Sequence, residues 1–354
     1  MHLSVPHRES MPRARYRRAA AAALLAAAIA AGGCTDRPRL VERRLYSMGT
    51  WVDVALEAPA RTAEAALADV EAMLRRFEID YYPWAEGELA RLNEALAAGR
   101  ETVVSEEMAA VLRDAKRYSE LSGGRFDPGV AKLVELWGFN STLAHPSAPP
   151  GPAAIEAWLG SGSSIAALEI QGRRIRAKAK VMLDLGGIAK GAAVDRIIEM
   201  FRSRGIRNAL VNAGGDLRVL GSRGGRPWRV GIQHPRADDV LGIIELGDGE
   251  AAFTSGDYER YVERDGRRFH HILDPRTGYP ADETQSVTVV AAQGVLADAA
   301  ATALFVAGDD WRSVARALGI DAALRVDADG HVELTDAMRR RLVSDDPEHV
   351  GSGS

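Results

Sequence analysis

The chain is poor in cysteine: Cys34 is the only one, so no disulfide can form within it even in an oxidising compartment. An excess of charge of one sign is also missing. With 45 Lys and Arg against 49 Asp and Glu the formal net charge is -4, which gives no electrostatic case for a nucleic-acid partner. No internal repeat recurs at a fixed period. Neither a Walker loop nor a GxGxxG fingerprint is present: the glycine-rich stretch ending in Lys190-Gly191 lacks the Ser or Thr of the first, and its glycine spacing fits neither. The apolar run Ala19 to Ala31 is too short to cross roughly 30 Å of hydrocarbon as a permanent helix.

The remaining composition, 46% apolar with both charges mixed, is that of an ordinary soluble protein. A length of 354 residues allows one large domain or two. The N-terminus departs from this average. Arg13, Arg15, Arg17 and Arg18 precede the alanine-rich run, which ends in Ala31-Gly32-Gly33-Cys34. That order is an export signal, and small residues directly before a cysteine resemble a bacterial lipobox. The expectation is a signal over 1–33, lipidation at Cys34, a tether over 35–44, a catalytic domain over 45–345 and a disordered tail or linker over 346–354. The alternative is cleavage at the small residues with Cys34 incidental.

Leu40 to Leu56 reads as a strand interrupted at Tyr46-Ser47-Met48-Gly49-Thr50, where Gly49 suggests a bulge or a close approach to ligand. Helical periodicity runs from Thr62, a candidate cap, to Phe77, and again from Glu86 to Ala97, with Tyr81-Tyr82-Pro83-Trp84 as a loop between. Ser105 to Ser122 reads as a helix capped by Ser105 and closed by Gly123-Gly124, before a Phe126-Asp127-Pro128 turn. The stretch 144–164, rich in Pro, Gly, Ser and Ala, is expected as a surface excursion. A strand follows near Leu168 to Ile175. The second half alternates strands and helices without a regular βαβ cadence, which argues for α+β over a doubly wound sheet.

Four segments bear chemistry. Asp184-Leu185-Gly186-Gly187-Ile188-Ala189-Lys190-Gly191 joins a short apolar strand to a helical pattern from Ala192 to Arg204, a junction that offers backbone amides to an anion. A structural turn explains the glycines, but not Asp184 and Lys190 together. Val211-Asn212-Ala213-Gly214-Gly215-Asp216 is a second glycine-rich turn, and there the structural reading is the better one. Thr254-Ser255-Gly256-Asp257-Tyr258 is followed by an Asp265-Gly266 hairpin signal and a return strand carrying His270 and His271, which alternation directs to opposite faces. Asp298 and Thr302, four apart in an apolar helix, share a face. A carboxylate and a hydroxyl so placed suit a hard cation such as magnesium. Taken alone, a dipole-favouring Asp and a back-bonding Thr explain the pair slightly better.

In order along the chain, several segments together resemble the ApbE family. These are Ser47 to Thr50, Gly87 to Asn93, Gly124 to Pro128, Asp184 to Gly191, Asn212 to Asp216, Thr254 to Tyr258, His271 to Gly278 and Ala297 to Thr302. The resemblance covers about Tyr46 to Gly308. It implies an α+β fold of mixed or antiparallel sheets flanked by helices, with an FAD cleft. The implied activity is magnesium-dependent transfer of FMN from FAD to a Ser or Thr hydroxyl of an exported redox protein, releasing AMP.

Carried over residue by residue, Gly187, Asp298 and Thr302 match the metal site, Gly187 through its backbone carbonyl. Met48, Asp127, Lys190 and Ile272, with Glu86, Gly87 and Glu88, match FAD-contacting positions, and His271 matches the base proposed to activate the acceptor. One departure stands out. Where the family usually has Tyr-x-Pro-x-Ser-Glu-Leu, this chain reads Tyr82-Pro83-Trp84-Ala85-Glu86-Gly87-Glu88-Leu89, with Gly87 at the serine position. The same metal site also serves a magnesium-dependent FAD pyrophosphatase giving free FMN, and the non-enzymatic alternative is an FAD-binding lipoprotein. The implied location is the periplasm or cell exterior, lipid-anchored through Cys34.

Overall fold

The structure, a computed structural model, describes residues 37–140, 149–264 and 267–343. The expected signal, Cys34, the Asp265-Gly266 turn and the 346–354 tail lie outside the described residues. The chain divides into two units, Met1–Pro38 and Arg39–Ser354, and the architecture below is that of the second.

The interrupted strand of the N-terminal region is in fact a hairpin. Strands β1 (Arg39–Ser47) and β2 (Thr50–Ala58) pair antiparallel from Arg39↔Ala58 to Ser47↔Thr50. Met48 and Gly49 form the two-residue turn, with φ of 53° and 74°. Two left-handed residues in succession match the right-handed twist of the flanking strands, so the chain reverses where a bulge was expected. Pairing takes in Arg39 to Arg44, residues expected to be tether. Exposed Leu40, Glu42 and Arg44 alternate with half-buried Val41, Arg43 and Leu45, and charge on both faces makes this edge strand look like a linker.

Helix α1 (Ala60–Tyr81) starts on Pro59, so Thr62 lies in its first turn and caps nothing; Ala63, Ala66, Leu67, Val70, Leu74 and Phe77 form its buried stripe. Helix α2 (Glu88–Ala97), short strand β3 (Thr102–Val103) and helix α3 (Glu106–Leu121) follow. Ser105 caps α3 by accepting the Met108 N–H at 3.1 Å, and Gly123 and Gly124 leave the helix left-handed, as the sequence predicts. After a 3₁₀ turn at Pro128–Val130 comes helix α4 (Ala131–Leu136). The expected surface excursion contains helix α5 (Pro152–Gly160). Its Ile155 and Trp158 close a small core with Leu133, Trp137 and Leu273, so two large apolar residues outweigh a turn-rich composition. The single strand expected near Leu168 to Ile175 is a hairpin, β4 (Leu168–Gln171) and β5 (Arg174–Ala177), reversing at Gly172 with φ 61°.

Helix α6 (Gly186–Ser203) begins inside the glycine-rich motif, six residues before the expected start at Ala192. Strands β6 (Ala209–Ala213), β7 (Asp216–Leu220), β8 (Trp228–Gln233), β9 (Val240–Leu246) and β10 (Ala251–Gly256) come next, then the hairpin β11 (Tyr261–Arg264) and β12 (Arg267–His270). The chain continues through β13 (Thr284–Ala291), helix α7 (Gly294–Ala307), helix α8 (Trp311–Leu318), β14 (Ala322–Asp327), β15 (Val332–Leu334), helix α9 (Asp336–Arg341) and β16 (Leu342–Val343).

An eight-stranded sheet in the order β1-β2-β6-β7-β10-β13-β14-β15 organises these elements, and every neighbouring pair in it is antiparallel. One face packs Val52, Val54, Val211, Phe253, Val287 and Val289 against α1, α3, α6, α7 and α8. Alternate residues Leu217, Val219, Ala252 and Val290 face the small sheet β16-β9-β8 and Met338 of α9. Helix α7 is buried nearly all round, so any polar group on it is held deep in the molecule. No helix among the described residues is long and apolar enough to cross a membrane.

Candidate active site

Helices α6 and α7 approach as closely as backbone allows. A Cβ on Gly191 would stand 2.3 Å from the Gly294 carbonyl oxygen, and one on Gly294 would stand 2.7 Å from that of Gly191. At this contact the Gly191 N–H donates to Asp298 Oδ2 at 2.9 Å. A regular helix would direct that N–H to the carbonyl four residues back, which is Gly187. Asp298 therefore competes for the donor that would otherwise satisfy the Gly187 carbonyl. One turn along α7, Thr302 Oγ1 lies 3.4 Å from Ser255 Oγ on β10, and a Cβ on Gly187 would meet the same hydroxyl at 3.4 Å. The three residues matched to a metal thus come together as carboxylate, hydroxyl and first-turn backbone, a set of hard oxygen donors.

Lys190, on the same first turns of α6, donates to the Asp216 carboxylate. Asp216 is 2% exposed, and its other oxygen accepts the Thr254 N–H at 2.9 Å. Burial pulls the Lys190 ammonium down, but Asp216, Glu259 and Asp298 together outweigh it and leave the pKa raised. Asp298, 5% exposed, is pushed up to about 7 by burial; Lys190 opposes the shift and Asp216 adds to it. The second glycine-rich turn, read from the sequence as structural, therefore supplies the counter-ion of the motif lysine. The signal was Asp216 itself, an acid placed just after two glycines at a strand start.

The two histidines part company at the end of β12. His270 is 4% exposed, accepts the Ile272 N–H on Nδ1 at 3.2 Å and donates from Nε2 to the Ala281 carbonyl at 2.7 Å. Its ring edge meets Phe305 of α7 at 5.4 Å. Both nitrogens are used. His271, half-buried, lies past the strand end and bonds the Arg260 carbonyl through its backbone N–H at 3.1 Å and through Nδ1 at 3.2 Å. A carbonyl can only accept, so Nδ1 carries the proton and Nε2 keeps its lone pair. Burial holds this imidazole well below 6.5, reinforced by Arg260, His270 and Lys190. His271 is neutral at pH 7 and is the histidine with a nitrogen to spare.

The remaining predicted residues are placed unevenly. Met48, the only non-glycine with positive φ among the described residues, sits at the hairpin tip, and the Gly214 N–H bonds Trp51 O at 3.0 Å, so the tip adjoins the turn leading to Asp216. Ile272 packs in the main core. Asp127 accepts the Gly129 and Ile165 N–H groups, each at 2.8 Å, and the Ser164 hydroxyl at 2.5 Å, which commits its carboxylate to joining two turns. Glu88 binds the Ser105 N–H and, at 2.8 Å, the Ser105 hydroxyl. Glu86 is exposed, and a Cβ on Gly87 would stand 2.0 Å from the Ile79 carbonyl oxygen, so this loop has no room for the serine usual at that position. Ser255 joins the site from within the Thr254 to Tyr258 motif, where the sequence assigns it no role of its own, and Glu259 and Arg260 join with nearness to that motif as their only signal.

A groove of about 1050 Å³ between β1, β2 and β8 is lined by Arg43, Arg44, Asp53, Arg226 and Trp228, and by none of the residues above. The chemistry lies instead where the ends of β7 and β10, the start of α6 and the buried face of α7 converge. Fold and site together define an α+β enzyme whose residues include hard oxygen donors, a half-buried ammonium and an imidazole with a free nitrogen.

The chain belongs to the ApbE family, whose profile matches residues 48–324. It is 42% identical to an FAD:protein FMN transferase of Rhodobacter capsulatus over 85% of this chain and 58% of that one. It is 34% identical to a Treponema pallidum protein of the same name over 78% and 82%. The chain thus spans little more than half the length of the Rhodobacter capsulatus relative. Among solved structures, the ApbE protein of Thermotoga maritima superposes with a TM-score of 0.78 at 36% identity, covering 86% of this chain and all of that one. The flavin transferase ApbE of Vibrio cholerae gives 0.77 at 30% identity over 86% and 100%.

Proposed function

We propose that this chain transfers FMN from FAD to a Ser or Thr hydroxyl of an exported redox protein, with magnesium required and AMP released. The observation that carries the reading is the convergence of Asp298, Thr302 and the Gly187 backbone at the α6–α7 contact, with Lys190 of the same first turns of α6 held by Asp216. The names of the relatives, FAD:protein FMN transferase, support the same chemistry.

The donor set fits magnesium: Asp298 has one oxygen committed to Gly191, its other oxygen has no protein partner among the described residues, and Thr302 adds a hydroxyl beside Gly187. When bound there, the metal supplies charge neutralisation at the FAD pyrophosphate. Lys190, oriented by Asp216, offsets further phosphate charge. His271 Nε2 takes the proton of the acceptor hydroxyl, whose oxygen forms a bond to the FMN phosphorus. The anhydride bond breaks and its electron pair leaves with AMP. The sequence of residues 13–34 supports export and acylation at Cys34, which would tether the domain to a membrane.

The test is incubation with FAD, Mg2+ and an acceptor protein bearing a Ser or Thr flavinylation segment. A fluorescent acceptor band in a denaturing gel is expected. Free FMN without a labelled band makes the chain an FAD pyrophosphatase, and bound but intact FAD makes it a flavin-binding protein.

A further inference from the structure

We infer that Asp195, backed by Arg218, is a positioning residue that holds α7 in register with α6 and so sets the spacing of the oxygen donors. The inference rests on the metal reading above. Asp195 lies on α6, outside the donor set, and reaches across to the start of α7. Its Oδ1 accepts the Gly294 N–H at 2.7 Å and its Oδ2 accepts the Val295 N–H at 3.1 Å. The first N–H groups of a helix have no partner within it and carry its positive end. Helix α7 has no cap of its own: Gln293 makes no side-chain capping bond and the first turn has no acid. A carboxylate from the neighbouring helix does that work.

Arg218 fixes the carboxylate. It is 7% exposed, donates from Nη1 to Asp195 Oδ1 at 2.7 Å, from Nε to the Gly249 carbonyl at 3.0 Å and from Nη2 to the Ala292 carbonyl at 2.9 Å. Strand β7 is thereby tied to the segments that lead into β10 and α7. Two rungs then join α6 to α7: Asp195 to Gly294 and Val295, and Gly191 to Asp298. The second rung is part of the donor set, and the first is one helical turn away from it. Gly191 and Gly294 bring the two backbones into contact with no side chain to interlock them, so the hydrogen bonds of the two rungs fix the register. Loss of the first rung lets Asp298 and Thr302 drift from Gly187 while each donor remains present.

The experiment measures Mn2+ affinity of the full chain by electron paramagnetic resonance, alongside the Mg2+ dependence of FMN transfer and the melting temperature. Asp195→Asn and Arg218→Lys are compared with Arg325→Lys. The last perturbs another buried arginine network, where Arg325 is 2% exposed and bonds Thr284, Asp309 and Glu333. Asp195→Asn should weaken Mn2+ binding about tenfold, a change of about 1.4 kcal/mol, and raise the half-saturating Mg2+ in proportion. The rate at saturating Mg2+ should fall much less. Arg218→Lys should move affinity in the same direction, and it carries the test if Asp195→Asn does not fold. Arg325→Lys should lower the melting temperature and leave metal affinity unchanged. Wild-type affinity in folded Asp195→Asn or Arg218→Lys, or a shift no larger than that of Arg325→Lys, would overturn the clamp. Absence of Mn2+ binding by the wild-type protein would overturn the metal reading and the inference with it.

Discussion

At His271 the question that decides function is which ring nitrogen holds the proton. The Arg260 carbonyl answers it by occupying Nδ1, and His270 is removed from contention because both its nitrogens are bonded in the core. His271→Ala should therefore cut FMN transfer by about 10²–10⁴ with FAD affinity nearly intact, measured as single-turnover labelling beside flavin binding. His270→Ala should act on stability instead. It strands the Ala281 carbonyl and the Ile272 N–H, at about 1–3 kcal/mol for an unsatisfied buried group, seen as a lower denaturant midpoint. The pH dependence follows from the depressed His271 pKa. A base works above its own pKa, so transfer should stay level as pH falls through the ordinary histidine value of about 6.5 and decline only below it. A rate that halves near 6.5 would assign the base elsewhere. Asp298→Ala should abolish magnesium-dependent transfer with only a small change in melting temperature, because relief of a carboxylate disfavoured by burial offsets the loss of its bond from the Gly191 N–H. Alternation alone separated the two histidines in the sequence; the capture of Nδ1 by a carbonyl eleven residues away was not legible, because backbone acceptors carry no residue identity.

At the scale of elements, the α6–α7 crossing carries the site. Gly191→Ala gains helix propensity of roughly 1 kcal/mol, but its Cβ would stand 2.3 Å from the Gly294 carbonyl, and overpacking costs about 1–3 kcal/mol. Packing wins, so the variant should unfold at lower denaturant and bind Mn2+ more weakly, since Asp298 is pushed from the Gly191 N–H. The sequence showed the glycine run and the Asp298–Thr302 pair as separate features. Nothing local linked them, for they are more than a hundred residues apart and meet only where α6 packs against α7. Helix α5 was obscured for a different reason: Pro, Gly, Ser and Ala dominate the segment, while Ile155 and Trp158 reveal themselves as core only once Trp137 and Leu273 are beside them.

For the whole molecule, the N-terminal boundary can be tested by truncation. A chain begun at Arg37 lacks the signal and Cys34 but retains β1, whose pairing with β2 starts at Arg39. It should be soluble, melt as one unit and label an acceptor in the assay above. A chain begun at Leu45 loses most of β1 and bares the outer edge of β2, so it should melt lower and aggregate, as light scattering would record.

The sequence by itself determined the α+β class, the capped helix after Ser105, the chemical types at the site and the family, because periodicity, caps and ordered motifs are properties of neighbouring residues. Only the tertiary structure decided which of the matched residues have free functional atoms. Asp127 and Glu88 spend their carboxylates on nearby turns, whereas Asp298 keeps an oxygen available and Asp216 is drawn to Lys190. A motif specifies the residue, but the partner of each polar atom depends on chain brought close by folding.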